Sequence, residues 1–190
     1  LGMPMHKIRI IKGHVGGGFG AKEDVCQEPI NAMLALKTGK PVLLEFTREE
    51  EFISTRTRHS IVFQLKSGVT KEGRFTARQM HVLSNTGAYA GHGHNIVYNI
   101  ASHFAVLYPT SNIAFKGTTV YTNMPVASAM RSYGISQLSF AIESHMDSIA
   151  LRLGMDPLEF RRKNMCKTGD QDQVSRILIK SCGLAECLNK

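Results

Sequence analysis

The sequence predicts an α+β fold, in which a small mixed sheet packs against helices. Two neighbouring segments alternate apolar and polar residues as a hairpin does, and a long C-terminal segment has apolar residues at helical spacing. A βαβ pattern does not continue past residue 46, which argues against a purely parallel sheet. At 190 residues and 43% hydrophobic content, the chain is long enough to bury a core. We assign residues 1–190 to one region without an internal boundary.

The N-terminal part predicts a strand, a glycine-rich turn, a helix and a second strand. β-branched residues indicate the first strand at 6–12, and apolar residues at helical spacing indicate a helix over 23–37. Gly39 is expected to end this helix, and residues 41–46 are predicted to form the second strand.

The middle of the chain predicts a hairpin followed by a helix. Residues 59–66 and 74–84 alternate in polarity, and the glycine-containing segment 68–73 joins them, as in an antiparallel pair. A glycine- and histidine-rich loop comes next, and a helix over 96–107 precedes a short strand at 118–122.

The C-terminal part is predicted to be helical. A regular apolar stripe runs from Ser136 to Gly154, where the glycine is expected to end the helix. An aspartate–proline pair at 156–157 then predicts the start of another helix, which ends near Asn164. A short helical segment is predicted at 183–188.

Composition narrows the functional classes. The net charge is +8, but the basic residues are scattered, so we expect no nucleic-acid partner. The four cysteines lack CxxC spacing, so we expect no iron–sulfur cluster in this chain and a cytoplasmic location. Because no 18-residue apolar run exists, we also expect no membrane span. Because the chain begins with Leu1 rather than methionine, we expect a piece of a longer polypeptide, with processing of the N-terminus as the alternative.

The glycine-dense turn at 13–23 is the strongest candidate binding element. Glycines let backbone N–H groups converge on an anion, and the following helix would add its positive N-terminal end. The turn is therefore expected to hold a phosphate-like or oxo-anionic cofactor. Glu23 follows it closely, and a carboxylate there suits a second ligand better than the anion.

A dinucleotide site is an alternative interpretation of the same turn. Gly16, Gly18 and Ala21 fit the G-x-G-x-x-A pattern between a predicted strand and helix, and Glu45 lies near the position of a ribose-binding acid. The hairpin that follows speaks against this NAD-binding reading, because a Rossmann domain needs further parallel strands.

Three ordered motifs resemble one enzyme family. Residues 16–23 read GGGFGAKE, which resembles the GGGFGGKE segment of the molybdenum hydroxylases, the xanthine dehydrogenase and aldehyde oxidase family. Residues 129–137 resemble that family's second cofactor-binding segment, A-[FM]-R-G-[FY]-G-x-x-Q, and residues 156–164 resemble its usual continuation. The chain thus resembles part of a molybdopterin-binding region over nearly its whole length.

The resemblance implies which residues face the cofactor, a molybdopterin with molybdenum. Backbone groups near the metal are implied for Phe19 and Arg131. The implied cofactor-binding residues are Gly17, Gly18, Phe19, Gly20 and Arg131.

The resemblance also implies a substrate side. Glu23 is implied to hydrogen-bond a purine-like or other N-heterocyclic substrate, and Tyr133 to stack on it. Asn99 is the third implied substrate-binding residue, and it stands where purine oxidisers of the animal type carry an arginine. Ser132 replaces the usual glycine beside the metal. The resemblance therefore leaves xanthine, hypoxanthine-like, nicotinate-like and other heterocycles as alternative substrates.

The resemblance further implies a larger enzyme. The catalytic base is expected outside this chain, and the 2Fe–2S and FAD groups on other domains or subunits, with oxygen taken from water. We expect the isolated chain to be inactive. A non-catalytic assembly module is a further alternative, and His92, His94 and His103 are expected to be loop or surface residues rather than metal ligands.

Overall fold

The computed structural model describes residues 2–20, 22–174 and 176–190. After a single 3-10 turn at Met5–Lys7, these residues form six helices and three strands. In chain order the elements are α1 (Glu28–Thr38), α2 (Arg48–Ser54), β1 (Ile61–Val69), β2 (Phe75–Gly87), α3 (Gly93–Leu107), β3 (Ile113–Tyr121), α4 (Ile135–Leu153), α5 (Pro157–Asn164) and α6 (Leu184–Asn189). The α+β class is confirmed.

The three strands form one mixed sheet in the order β1-β2-β3. β1 and β2 are antiparallel, and Gly73, with a φ of 80°, sits in the turn between them, so the predicted hairpin is confirmed. β3 runs parallel to β2, which requires a crossover, and α3 provides it. β3 begins at Ile113 rather than at residue 118, since pairing with β2 extends it.

The core lies between one face of the sheet and helices α3, α4 and α5. Alternate β2 residues point into it, and the apolar stripe of α4 packs above them. Burying a large apolar side chain contributes roughly 1.5–3 kcal/mol, so this layer dominates the stability of the fold. Its fully or almost fully buried members are Met80, Val82, Ile96, Ile100, Phe104, Tyr108, Leu138, Ile142, Met146, Ala150 and Phe160.

The helix ends follow the predicted capping signals. Gly154 adopts a left-handed conformation after α4, and the Asp156 side chain accepts a hydrogen bond from the N–H of Glu159 at the start of α5. Gly39 ends α1 in the same left-handed way. None of the helices in the described residues is long and apolar enough to cross a membrane.

Two strand predictions in the N-terminal part are wrong. Residues 8–15 and 41–47 have no regular secondary structure, because a strand needs a neighbour for its backbone groups and no described strand pairs with them. Helix α1 begins at Glu28 rather than at residue 23. Pro29 occupies its first turn, where a missing N–H costs nothing, and residues 22–24 form turns or bends.

Candidate functional site

The glycine turn and the segment 129–134 meet in space, although about 110 residues separate them. The backbone N–H of Arg131 donates a hydrogen bond of 2.7 Å to the carbonyl oxygen of Phe19. The Arg131 guanidinium carbon lies 5.9 Å from the centre of the Phe19 ring, within range of a cation–π contact. We call this contact the Phe19–Arg131 junction.

Gly20 makes the junction possible. Its φ is +101°, and a Cβ atom there would lie 2.4 Å from the carbonyl oxygen of Ala129. Any larger residue would force the two segments apart. By contrast, a Cβ at Gly16 would meet nothing within 4 Å, so the glycines of this turn serve different purposes.

The turn also presents free hydrogen-bond donors. Within the described residues, none of the backbone N–H groups at 16–20 donates a hydrogen bond to another protein group. Phe19 adopts a φ of 53°, an uncommon conformation for a residue with a side chain. Unpaired N–H groups on a mostly Cβ-free backbone suit a ligand rich in acceptor atoms, such as an oxo-anionic or phosphate-bearing cofactor.

The second segment is strained and firmly held. Ser132, Tyr133 and Gly134 have successive φ values of 76°, 48° and 94°. Each left-handed non-glycine residue costs roughly 1–2 kcal/mol, so the surrounding structure must impose the conformation. The Tyr133 N–H donates to the carbonyl oxygen of Met130 at 2.9 Å, and the Asn99 side-chain amide donates to the carbonyl oxygen of Tyr133 at 2.8 Å.

Arg58 holds the same segment from the other side. Its Nη1 donates to the carbonyl oxygen of Arg131 at 3.0 Å and to Ser136 Oγ at 2.8 Å. Arg58 was not predicted, because nothing local to it indicates a partner more than 70 residues away.

Asp24 ties the turn to the body of the protein. Its Oδ2 accepts hydrogen bonds from Ser128 Oγ at 2.6 Å and from Arg56 Nε at 3.2 Å, and its Oδ1 lies 3.5 Å from His92 Nε2. The Ser128 hydrogen bond is the main cause of a pKa lowered from the ordinary value of 3.8, with the charges of His92 and Arg56 adding to it. Asp24 was also not predicted as a residue of the site. The signal in the sequence was its position directly after Glu23.

Tyr133 connects these groups to the open side of the site. Its hydroxyl lies 2.7 Å from His92 Nδ1, and the two rings meet edge to face at 84°. Burial raises the pKa of Tyr133, a hydrogen bond with the Asn95 side chain opposes this rise, and the charges of Glu23 and Asp24 add to it. Glu23 itself is exposed, and its N–H donates to the carbonyl oxygen of Gly20 at 3.2 Å.

The structure therefore brings the predicted residues Phe19, Gly20, Glu23, Arg131 and Tyr133 to one place. Gly17 and Gly18 lie in the same turn. Asn99 contacts the backbone of Tyr133, so its amide supports the segment.

Two of the three histidines weighed as metal ligands, His94 and His103, contact neither Asp24 nor Tyr133 through the hydrogen bonds described for them. His94 Nδ1 lies 2.9 Å from Thr119 Oγ1, and His103 Nδ1 lies 2.9 Å from the carbonyl oxygen of Asn99. Among the described residues, no group of three histidine, cysteine or acidic side chains could hold a metal ion.

The dinucleotide interpretation is not supported. No strand precedes the glycine turn in the described residues, and Glu45 lies in an irregular segment rather than at a strand end. The third small residue of that pattern, Ala21, lies outside the described residues.

Comparison with known proteins identifies relatives of this architecture. Residues 1–165 match a family model described as a molybdopterin cofactor-binding domain. The chain is 45% identical over its whole length to the xanthine dehydrogenase molybdenum-binding subunit of Escherichia coli O157:H7, and 36% identical to the nicotinate dehydrogenase large molybdopterin subunit of Eubacterium barkeri. It spans 25% of the first of these proteins and 45% of the second.

A solved structure shows the same fold. The aldehyde oxidoreductase from Desulfovibrio gigas superimposes with a TM-score of 0.85 at 33% identity, and the match covers 92% of this chain and 19% of that protein. This chain thus corresponds to a fraction of a larger polypeptide in each of the relatives described.

Proposed function

Because the chain belongs to the molybdopterin cofactor-binding domain family, we propose that it forms one side of the cofactor and substrate site of a larger molybdenum hydroxylase. The Phe19–Arg131 junction carries this proposal. It places the unpaired N–H groups of the glycine turn beside a second, strained segment that bears Tyr133.

The residues of the junction fit the chemistry of the cofactor. The N–H groups of Gly17, Gly18, Phe19 and Gly20 would hold acceptor atoms of the molybdenum–pterin group without rearranging. The Arg131 N–H is already bonded to Phe19, so Arg131 would act through its position near the metal and its guanidinium charge. When bound, the cofactor supplies the metal and oxygen chemistry of the hydroxylation.

The substrate would lie between Glu23 and Tyr133. The Tyr133 ring offers a flat surface for stacking, and the exposed Glu23 carboxylate can accept a hydrogen bond from a ring N–H. The Asn99 side chain carries no positive charge, and its amide donates to the carbonyl oxygen of Tyr133. The site therefore fits a purine-like or other N-heterocyclic substrate that does not need a contact with an arginine at this position.

The remaining parts of the enzyme belong to the same proposal. Residues 1–190 form a partial molybdopterin-binding domain, and the rest of that region supplies the catalytic base. Iron–sulfur and FAD modules receive the electrons, the enzyme is cytoplasmic, and the isolated chain is inactive. The matched relatives support this organisation, since both are longer than this chain. The chain spans 25% of the Escherichia coli subunit and 45% of the Eubacterium barkeri subunit.

Replacing Glu23 in the complete enzyme tests the substrate role. The Glu23→Gln change should lower kcat/KM for N-heterocycles about 10- to 100-fold, because a hydrogen bond to a charged group contributes about 1.5–3 kcal/mol. The molybdenum content should stay unchanged. Glu49→Gln, an exposed change on helix α2, serves as the charge-matched control. Normal turnover of every heterocycle by Glu23→Gln would remove Glu23 from the substrate site.

A second variant separates this function from an assembly role alone. The Arg131→Ala change should reduce molybdenum content or turnover, since Arg131 lies at the junction. If Arg131→Ala and substitutions at Gly17, Gly18 and Gly20 leave both unchanged in the assembled enzyme, the chain contributes only packing surface.

A further inference from the structure

Two free thiols meet where the C-terminal segment (residues 167–190) returns to the rest of the chain. Cys166 Sγ lies 4.0 Å from Cys182 Sγ, although 16 positions separate the two residues in the sequence. The Cys182 thiol also donates a hydrogen bond of 3.4 Å to the carbonyl oxygen of Cys166. The fold therefore pairs two cysteines that no short sequence motif connects.

Both thiols are held in place by neighbouring helices. The backbone N–H of Cys166 donates to the carbonyl oxygen of Leu107, at the end of α3, at 2.9 Å. Cys182 lies just before α6, and that helix contacts α5, because Arg162 Nη2 donates to the carbonyl oxygen of Leu188 at 3.2 Å. The thiol pair thus stands between the packed helices and the C-terminal segment.

The loop between the two cysteines makes hydrogen bonds within itself and is mostly exposed. The Gly169 N–H donates to the carbonyl oxygen of Ile179 at 2.9 Å, and the Ile179 N–H donates to the carbonyl oxygen of Asp170 at 2.8 Å. Most of its described side chains are exposed to solvent. A covalent bond between the two ends of such a loop restricts it strongly, because it removes conformations that the open loop can adopt.

The two thiols differ in their access to solvent. Cys166 is 6% exposed, whereas Cys182 is partly exposed. Burial raises the pKa of the Cys166 thiol, and the neighbouring Cys182 raises it further. A thiolate is the reactive form of cysteine, so an oxidant in solution meets its first reaction partner at Cys182.

We propose that Cys166 and Cys182 are a redox modification site, which hydrogen peroxide converts to a disulfide that ties the C-terminal segment to α3 and α5. The Sγ–Sγ separation must shorten from 4.0 Å to about 2 Å, and the exposed loop on the Cys182 side can supply this movement. The inference does not depend on the proposed function, since it involves neither the cofactor nor the substrate.

The reaction balances in two steps. The Cys182 thiolate attacks one peroxide oxygen, the O–O bond breaks, and the departing hydroxide takes up the thiol proton as water, which leaves a sulfenic acid. The Cys166 sulfur then attacks the sulfenic sulfur, the S–O bond breaks, and the departing hydroxide takes the Cys166 proton as a second water. The peroxide gains the two electrons that the thiols lose, and a dithiol reductant reverses the link by thiol–disulfide exchange.

Peptide mapping of the complete protein tests the link. The folded protein is treated with hydrogen peroxide, unfolded, alkylated and digested with trypsin, which places Cys166 in residues 164–167 and Cys182 in a peptide that begins at Ser181. That peptide also contains Cys187, so the Cys187→Ser variant is mapped as well. Both proteins should yield the two peptides joined, two hydrogen atoms lighter than their sum and separated by dithiothreitol. No joined pair, or one that forms only when the protein is unfolded before oxidation, would overturn the inference.

Hydrogen exchange shows whether the link restrains the C-terminal segment. Peroxide treatment should slow amide exchange in residues 167–181 about tenfold in the wild-type protein, and dithiothreitol should restore the original rate. The Cys182→Ser variant should show no slowing, whereas Cys187→Ser, a change on α6 itself, should behave as the wild type does. Unchanged exchange in oxidised wild type, or equal slowing in Cys182→Ser, would contradict the inference. Neither measurement uses turnover, so loss of enzyme activity bears only on the proposed function.

Discussion

The N-terminal arm (residues 2–54) and the body (residues 55–166) differ in where their apolar side chains lie. Every buried member of the core cluster belongs to the body. In the arm, large apolar side chains of α1 and its flanks remain exposed among the described residues, including Val25, Ile30, Met33, Leu34, Leu36 and Leu43. The arm thus contains helices whose apolar side chains have no packing partner among the described residues.

The helices of the arm have local signals as good as those of the body. Thr47 and Glu50 form a reciprocal capping box at the start of α2, and Gly39 ends α1 in the left-handed conformation. Capping contributes only about 1 kcal/mol, however, and short isolated helices are marginal in water. The arm is therefore held to the body mainly at Gly20 and Asp24.

The largest expected difference is in the free energy of unfolding, when an isoleucine is replaced by alanine once in the body and once in the arm. Ile142 is 3% exposed and Ile30 is 50% exposed. Ile142→Ala should lower the free energy of unfolding of this chain by about 2–5 kcal/mol, and Ile30→Ala by less than about 1 kcal/mol. Urea unfolding measures both.

The loss of stability caused by Ile30→Ala and by Ile142→Ala can also be measured in the complete enzyme. If Ile30→Ala becomes as costly there as Ile142→Ala, the rest of the enzyme buries the arm. Equal costs in this chain alone would contradict the division into arm and body.

A smaller effect is expected where the arm joins the body. Gly20→Ala should cost about 2–4 kcal/mol, because its Cβ would collide with the Ala129 carbonyl group and its φ is unfavourable for alanine. In the complete enzyme it should also reduce molybdenum content. Gly16→Ala is the matched control, since its Cβ meets nothing within 4 Å and its φ is not positive. Similar stability and metal content in both variants would mean that the junction does not hold the arm.

The smallest effect is the pH dependence of the Asp24 contacts. Because folding lowers the pKa of Asp24 below 3.8, its contribution is fully present above that value and is lost as the pH falls through the folded-state pKa. Stability measured between pH 6 and about pH 2 should therefore fall less steeply in Asp24→Asn than in wild type. Asp156→Asn, which changes a helix cap far from the arm, controls for general acid effects. Identical pH slopes in wild type and Asp24→Asn would contradict the assigned role.

Several elements that the sequence predicts correctly lie in the body, and the two wrongly predicted strands lie in the arm. The hairpin, α4 and α5 were predicted because their periodicity, turn glycines and caps are local and their packing partners lie in the body. The strands at 6–12 and 41–46 were predicted from local composition alone. That composition favours a strand only where a neighbour completes its hydrogen bonds, and no described strand does so.

The candidate site divides in the same way. The glycine turn, Glu23, Arg131 and Tyr133 were found because their motifs are short and contiguous. Arg58, Asp24 and the contact of His92 with Tyr133 were missed, because each depends on residues brought together from more than 30 positions apart.

By itself, the sequence determined the α+β class, the glycine ends of α1 and α4, the start of α5 and the residue types that can face an acceptor-rich cofactor, because backbone preferences and capping act over a few residues. Only the tertiary structure decided that Gly20 must lack a side chain, that Arg131 bonds to Phe19, and that Asp24 and His92 stand behind Tyr133. These features depend on close approach between distant segments, and packing of the whole chain sets such distances.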